Sequence, residues 1–227
     1  MQISFILVEP AVPENVGAAA RAIKTMGFSQ LVLVNPCDFL SGPARWLAHG
    51  SGEILEQAKV FPTFEEAISG FDFIIGTSAK KRSVKYDYYP LPELPELLSS
   101  KGNSVENIAV VFGREESGLK NDELKLCDLV TTIPMKTTFP SLNLAQAVML
   151  YAWELSKVNE LPASEGEFRS EESLRSLLQK VQAILLSSGF NEESAIFPRF
   201  LERVSFLEEG DIHLLHSFCN KYLENKK

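Results

Sequence analysis

Short apolar runs alternate with helical patterns along the first 157 residues of the chain. Five of these runs predict buried strands, and they span Ile3–Val8, Leu31–Val34, Phe71–Ile75, Ile108–Phe112 and Leu129–Ile133. Strands that are separated by helices favour a parallel sheet with helices on both faces. The pattern therefore predicts an α/β fold.

Helical spacing is clearest over Glu14–Met26, where apolar residues recur every three or four positions and Gly27 follows. This spacing predicts an amphipathic helix. A capping box at Thr63–Glu66 predicts the start of another helix. A further helix is expected to end near Lys157.

The pattern changes after Lys157. Asn159–Arg169 is polar, with Pro162 and Gly166, and favours a linker over 158–169. Ser170 is expected to cap a helix with an apolar stripe that begins at Leu174, and two shorter helical patterns follow at 195–206 and 211–223. The predicted units are an α/β domain over 1–157, a linker over 158–169 and a small all-helical extension over 170–227.

The composition is that of a globular protein with an acidic balance. There are 22 Lys+Arg against 30 Asp+Glu, so the formal net charge is -8. An acidic chain does not coat nucleic acid by bulk charge, and an RNA role would need a local basic patch. The 3 cysteines lie far apart without CxxC spacing, so neither a disulfide framework nor a metal site is expected.

No segment near the start of the sequence has the pattern of a membrane anchor. The apolar run Ile3–Val8 is too short to span a bilayer and lacks the basic flank of a signal peptide. The expectation is a cytoplasmic protein without membrane association.

Common nucleotide-binding and hydrolase signatures are missing. The sequence has no GxxxxGK[ST] and no GxGxxG, although Gly50-Ser51-Gly52 begins the latter. The histidines are His49, His213 and His216, and none accompanies a nucleophile in a triad-like pattern.

Three segments at strand ends carry candidate chemistry, since ligands of open α/β sheets bind beyond the carboxyl ends of strands. The first, Pro13–Ala22, opens a helix whose backbone N–H groups favour an anion. Gly17 and Arg21 share a face there, and the small glycine would leave room above the guanidinium. A solvated arginine on an ordinary helix is the alternative.

The second segment, Val111–Leu119, holds two glycines around a charged turn, and Gly113 would allow close backbone approach to a ligand. A tight turn whose charges pair with neighbours is the alternative. In the third segment, Ile133–Ala145, Ser141 is the expected N-cap. Asn143 would then lie in the first turn of the helix. Asparagine is a poor helix former, so its presence there indicates a role other than helix formation.

The densest basic patch lies between the third strand and the fourth. Four cations are followed by tyrosines, a combination that suits phosphate contact and base stacking on RNA. A solvated loop is the alternative. The candidate RNA-binding residues are Lys80, Lys81, Arg82 and Lys85.

Together these segments resemble the SPOUT superfamily of methyltransferases, in its TrmH (SpoU) branch. Asn15-x-Gly17-x3-Arg21-Ala22 resembles the first motif, Phe112-Gly113-Arg114-Glu115-x2-Gly118-Leu119 the second, and Ile133-Pro134 with Ser141-Leu142-Asn143-Leu144-x2-Ala147 the third. The resemblance covers residues 1 to about 157. It is closer still to the TrmJ-like tRNA 2′-O-methyltransferases, which also carry a helical C-terminal extension.

The resemblance implies a parallel-sheet fold with a C-terminal trefoil knot, S-adenosylmethionine as cofactor, and a homodimer whose active site uses both subunits. The implied catalytic residues are Arg21, Asn15, Glu115, Ser141 and Asn143. The implied cofactor-binding residues are Thr77, Ser78, Ala79, Gly113, Ile133, Pro140, Ser141 and Leu142.

The implied reaction transfers a methyl group to a ribose 2′-hydroxyl of tRNA, at position 32 of the anticodon loop by TrmJ-like resemblance. The donor is already activated, so no metal is needed. An arginine is not deprotonated in proteins, and Arg21 is therefore expected to bind the adjacent phosphate and stabilise charge on the 2′-oxygen. Ribosomal RNA as substrate, a non-catalytic RNA-binding dimer and another nucleotide-binding enzyme remain alternatives.

Overall fold

A computed structural model describes residues 1–79, 88–137, 142–160 and 173–224. Its centre is a parallel sheet of seven strands in the order β3-β2-β1-β6-β4-β7-β5. The strands are β1 (Gln2–Val8), β2 (Gln30–Val34), β3 (Lys59–Phe61), β4 (Phe73–Thr77), β5 (Tyr88–Pro90), β6 (Asn107–Phe112) and β7 (Leu129–Thr132). All named pairings are parallel, which confirms the predicted α/β class.

Helices cover both faces of this sheet. They are α1 (Pro13–Thr25), α2 (Gly42–Ala48), α3 (Gly52–Glu56), α4 (Phe64–Ile68), α5 (Leu94–Ser100), α6 (Asn121–Lys125), α7 (Leu144–Ser156), α8 (Leu174–Ser187), α9 (Ile196–Ser205) and α10 (Glu209–Glu224). Alternate strand residues point to opposite faces, so Phe5 joins the core under α1 and α7, while Ile6 joins the core under α4 and α6.

The predicted strands agree with the structure to within two residues. The largest difference is at β4, which begins at Phe73 rather than Phe71. Asp72 has another role, because its carboxylate accepts hydrogen bonds from the backbone N–H groups of Glu106 and Asn107 at the start of β6. The sequence does not predict the edge strands β3 and β5, since each has three residues that are exposed or half-buried and carries no clear hydrophobic period.

The C-terminal helices contact the amino edge of the sheet. Lys101 is fully buried, and its ammonium donates to the carbonyls of Ser205, at the end of α9, and of Leu207 just after it. Burial lowers the pKa of Lys101 to about 7. Arg175 of α8 forms a two-pronged ion pair with Asp128, which precedes β7, at 2.7 and 3.3 Å.

The start of α8 differs from the sequence prediction. Its N-cap is Ser173, whose hydroxyl accepts from the backbone N–H of Ser176. The predicted cap, Ser170, lies outside the described residues. The apolar stripe that begins at Leu174 is buried as expected against the rest of the core. Across the described ranges, no helix is both long and apolar enough to cross a bilayer.

Candidate active site

A cavity of about 230 Å³ opens at the carboxyl edge of β4, β6 and β7. The segments that follow these three strands form its walls, and the first turns of α7 complete it. Its lining residues are Thr77, Ser78, Ala79, Phe112, Gly113, Arg114, Glu115, Glu116, Ser117, Gly118, Leu119, Leu124, Ile133, Met135, Leu142, Leu144, Ala147 and Tyr151.

All six of the predicted cofactor-binding residues that the structure describes lie on this wall. They are Thr77, Ser78, Ala79, Gly113, Ile133 and Leu142. The other two, Pro140 and Ser141, lie outside the described residues, as do the candidate RNA-binding residues Lys80, Lys81, Arg82 and Lys85.

The segment after β6 is a closed turn that approaches itself very closely. The backbone of Arg114 exchanges two hydrogen bonds with that of Gly118, at 2.8 and 3.3 Å. A Cβ atom on Gly113 would lie 2.1 Å from the carbonyl carbon of Gly118. Glycine is therefore required at position 113 for the turn to close, and the backbone of this turn faces the cavity.

A buried phenol lies on the inner wall of the cavity. Tyr151 of α7 is buried, its ring packs edge-on against Phe112 at 5.2 Å, and its hydroxyl bonds that of Thr131 at 2.7 Å. Burial raises the pKa of Tyr151, so it stays a neutral phenol at physiological pH. The sequence motifs did not single out Tyr151, and only its helical spacing to Leu144 and Val148 indicates burial.

Glu115 connects the turn after β6 to the start of α1. Its carboxylate accepts from the backbone N–H groups of Ala11 and Val12, at 3.1 and 3.3 Å, and from Asn15 Nδ2 at 3.0 Å. Desolvation opposes ionisation of Glu115, but these hydrogen bonds prevail and hold its pKa below the usual range. The anion expected near the start of α1 is thus supplied by the protein itself.

Asn15 in turn contacts Asn143, which begins α7. The Glu115 carboxylate only accepts hydrogen bonds, so Asn15 must face it with Nδ2 and present Oδ1 on the other side. Asn143 Nδ2 donates to that Oδ1 at 2.8 Å. The three side chains Glu115, Asn15 and Asn143, here called the polar array, therefore have a defined direction of hydrogen bonding.

The prediction that Ser141 caps the last helix of the α/β domain is wrong. Asn143 is the N-cap of α7, and its Oδ1 accepts from the backbone N–H of Ala145 at 2.9 Å. Gln146 completes the capping box by accepting from the N–H of Asn143. Asn143 consequently has a structural role at its position as well as a contact in the polar array.

Arg21 lies on the exposed surface of α1 and is not part of the cavity wall. Within the described part of the chain, its guanidinium makes no hydrogen bond or ion pair. The expected free space over Gly17 is absent, because α2 packs there and a Cβ on Gly17 would lie 2.0 Å from the carbonyl oxygen of Ala44. Gly17 thus permits contact between two helices rather than access to Arg21.

Two family models match the chain. The SpoU rRNA methylase family matches residues 2–153, which include the whole sheet and the cavity. The chain belongs to the SpoU rRNA methylase family. The C-terminal domain of the tRNA/rRNA methyltransferase LasT matches residues 171–226. The polar array and the cavity therefore lie within the SpoU part of the sequence.

Several SpoU-related proteins are similar to the chain over most of its length. An uncharacterized tRNA/rRNA methyltransferase LasT of Escherichia coli is 41% identical over 226 residues, 99% of each chain. The tRNA (cytidine/uridine/adenosine-2′-O-)-methyltransferase TrmJ of Pseudomonas aeruginosa is 37% identical, covering 88% of this chain and 80% of that protein. A probable methylase family protein from Haemophilus influenzae has a TM-score of 0.68 and 31% identity, covering 99% of this chain and 98% of its own.

Among the described residues, no group of three His, Cys, Asp or Glu side chains converges in a way that could hold a metal ion. The described part of the cavity wall also has no histidine or cysteine. The chemistry available at the described site consists of carboxylates, amides, hydroxyls, the guanidinium of Arg114 and backbone groups.

Proposed function

We propose that this chain is an S-adenosylmethionine-dependent tRNA 2′-O-methyltransferase that acts as a homodimer. The observation that carries the proposal is the polar array beside a cavity formed by three strand ends. Membership of the SpoU family and similarity to TrmJ proteins, which are named as tRNA 2′-O-methyltransferases, support it. Position 32 of the anticodon loop is the proposed target.

The cavity fits a cofactor with both polar and apolar parts. Residues 113–119 line the cavity, so the backbone of this turn offers polar contacts to a ligand, while the space beside Gly113 itself is filled by Gly118. Ile133, Leu142 and Leu144 offer apolar contacts, while the hydroxyls of Thr77 and Ser78 offer polar ones. When bound, S-adenosylmethionine supplies a methyl group already activated by the adjacent sulfonium.

The protein's own task is then to position the ribose and to stabilise charge on its 2′-oxygen. Holding two reactants in line can lower the barrier by about 7–11 kcal/mol. We assign ribose orientation to Asn143, which Asn15 and Glu115 hold in one direction, and cofactor orientation to Ser141. Arg21 binds the neighbouring phosphate and stabilises the developing alkoxide, whose proton passes to a backbone phosphate or to water.

A second subunit explains why Arg21 lies outside the cavity of its own chain. Arg21 is exposed on α1, and α7 packs against α1. On α7, Leu150 and Trp153 are three positions apart and 39% and 56% exposed, although both are large and apolar. We propose that this face joins two copies, so that Arg21 of one subunit serves the cavity of the other.

The finer features of the fold belong to the same proposal. These are the trefoil knot, the division into 1–157, 158–169 and 170–227, and the role of residues 170–227 as a helical extension. Their support is the family resemblance and the separate match of residues 171–226 to the LasT C-terminal domain.

Transfer of a labelled methyl group from S-adenosylmethionine to unmodified bulk tRNA tests the proposal. We expect label in an alkali-resistant dinucleotide, which is diagnostic of 2′-O-methylation, with a sequence context that places it at position 32. Label on ribosomal RNA but not on tRNA would overturn the tRNA substrate. Absence of cofactor binding would overturn the catalytic proposal as a whole.

A further inference from the structure

Arg114 joins three parts of the carboxyl edge that are far apart in sequence. Its Nε and Nη2 donate to the two carboxylate oxygens of Glu9 at 2.7 and 2.6 Å. Its Nη1 and Nη2 donate to those of Glu123 at 3.0 and 2.9 Å. One guanidinium therefore holds the end of β1, the turn after β6 and the first turn of α6 together.

The cluster is shielded from solvent on its inner side. The side chains of Arg114 and Glu123 are 14% and 11% exposed, whereas Glu9 is 39% exposed. Hydrogen bonds from Arg114 hold the pKa of Glu9 below its usual range. Lys120 adds a longer contact to Glu9 at 3.8 Å, so two cations face two carboxylates. Paired charges of this kind are expensive to break singly.

The backbone at Glu9 indicates that the contact imposes a specific geometry. Glu9 has a φ of 47°, in the left-handed region that a residue with a side chain adopts at a cost. Its N–H donates to the carbonyl of Val34 at 2.8 Å in this conformation. Strain of this kind persists only where the surroundings hold it, and Arg114 is the nearer of the two cations that contact the Glu9 side chain.

We propose that Arg114 is a positioning residue for the methyl transfer site, acting through the two carboxylates that it holds. Residues 113–119 line the cavity, and Arg114 is held within that turn by Glu123 and Glu9. Glu115 follows directly and bonds Ala11 and Val12, two and three residues after Glu9. The spacing between β1 and the turn after β6 thus sets both the cavity wall and the position of the polar array. This inference rests on the proposed function.

The test uses carboxylates that do not touch the cavity. Neither Glu9 nor Glu123 is a lining residue. We expect Glu9→Gln and Glu123→Gln each to raise the Kd for S-adenosylmethionine about tenfold, measured by calorimetry, because the cavity wall shifts. The KM for tRNA should change little and kcat should fall, since the polar array moves with the turn.

Arg175 provides a matched control. It also forms a two-pronged pair with a carboxylate, that of Asp128, but at the opposite edge of the sheet. Arg175→Lys and Arg114→Lys should each lower Tm, because each replaces a planar fork by a single ammonium, and Arg114→Lys should lower it more because Arg114 holds two carboxylates. The Arg114→Lys protein should lose cofactor affinity, and the Arg175→Lys protein should keep it.

The outcomes separate this inference from the proposed function. If the wild-type chain does not bind S-adenosylmethionine, the proposed function fails. If it binds, and the two Gln variants bind as tightly, Arg114 does not act through its carboxylates and the inference is overturned. If Arg175→Lys loses as much affinity for S-adenosylmethionine as Arg114→Lys, the inference is also overturned, because the loss would then reflect lower overall stability. If the Arg114→Lys protein does not fold, the cofactor affinity of the Glu9→Gln variant still tests the inference, because Glu9 is half-exposed and its substitution disturbs the fold less.

Discussion

Asn143 donates a hydrogen bond to Asn15 at 2.8 Å, across 128 residues of sequence. The contact joins the first turn of α7 to the first turn of α1 beside the cavity. Glu115 fixes the direction of this hydrogen bond, because its carboxylate accepts from Asn15 Nδ2 and thereby turns Asn15 Oδ1 toward Asn143. Asn143 caps α7 with its own carbonyl oxygen, so its amide nitrogen is the group that faces Asn15.

The two roles of Asn143 can be separated by substitution. Asn143→Ala removes both the cap and the contact to Asn15, and should lower the free energy of unfolding by about 1 kcal/mol. Asn143→Ser keeps a capping oxygen but cannot reach Asn15, and should leave stability nearly unchanged. Methyl transfer should fall about 100-fold in both, since misplacement rather than instability limits it. Wild-type turnover of Asn143→Ser would contradict this role.

Because Glu115 is ionised in the folded protein, the free energy of unfolding should depend on pH. The pKa of Glu115 in the folded protein is below its ordinary value of 4.5. The carboxylate therefore contributes its full stabilisation of the folded state above pH 4.5, and this stabilisation is lost as the pH falls through the folded pKa. Glu115→Gln should lower the free energy of unfolding by about 1–2 kcal/mol at neutral pH. In urea titrations, this difference from the wild type should shrink at pH values below 4.5.

The neighbouring Glu116 gives the control for that experiment. It is exposed, and Glu116→Gln should change the free energy of unfolding little at neutral pH. A Glu115→Gln difference that stays constant from neutral to acid pH would contradict an ionised Glu115 as the source of the stabilisation.

Gly17 should tolerate no side chain. Gly17→Ala places a methyl group 2.0 Å from the Ala44 carbonyl oxygen and forces α1 and α2 apart. We expect a loss of about 1–3 kcal/mol in the free energy of unfolding. Gly42→Ala is the control, because a Cβ there meets nothing within 4 Å. Equal stability of the two variants would show that α2 can move away without cost.

A shared active site predicts rescue between two defective proteins. Arg21→Ala and Asn143→Ser homodimers should each be nearly inactive. After subunit exchange, half of the dimers carry one site with both residues intact, so activity should return to about a quarter of the wild-type value. If Arg21 serves its own subunit, every site in the mixture stays defective and no activity returns.

The basic segment predicts a division between RNA binding and cofactor binding. Replacing Lys80, Lys81, Arg82 and Lys85 together by Ala should weaken tRNA binding. The slope of the logarithm of the binding constant against the logarithm of salt concentration should become shallower by about 0.7 for each phosphate that is no longer neutralised. The affinity for S-adenosylmethionine should not change. Replacing the exposed residues Lys59, Lys125 and Lys221 is the control. A parallel loss of cofactor affinity would contradict the assignment.

The sequence was sufficient for the elements that depend on local pattern. The buried strands are continuous apolar runs, and α1 follows from its spacing and from Gly27, whose φ of 83° ends the helix. The short edge strands β3 and β5 were missed, because their residues are only partly covered and their pairing is decided by a neighbour distant in sequence.

The family resemblance likewise indicated six of the residues that line the cavity. It did not identify Tyr151, whose role depends on a hydroxyl of Thr131 on another element. Nor did it give the cap of α7, since Ser141 and Asn143 are both good capping residues and only the backbone path decides between them.

The α/β class, the motifs and the candidate residues thus follow from the amino-acid sequence, because hydrophobic period and residue type are local properties of the chain. Tertiary structure decided which of those residues meet. Arg114 contacts Glu9 across 105 residues, and Glu115 contacts Asn15 across 100. Such pairs form only when the fold brings the carboxyl ends of parallel strands to one edge of the sheet. The sequence around a charged residue does not show which distant residue will pair with it.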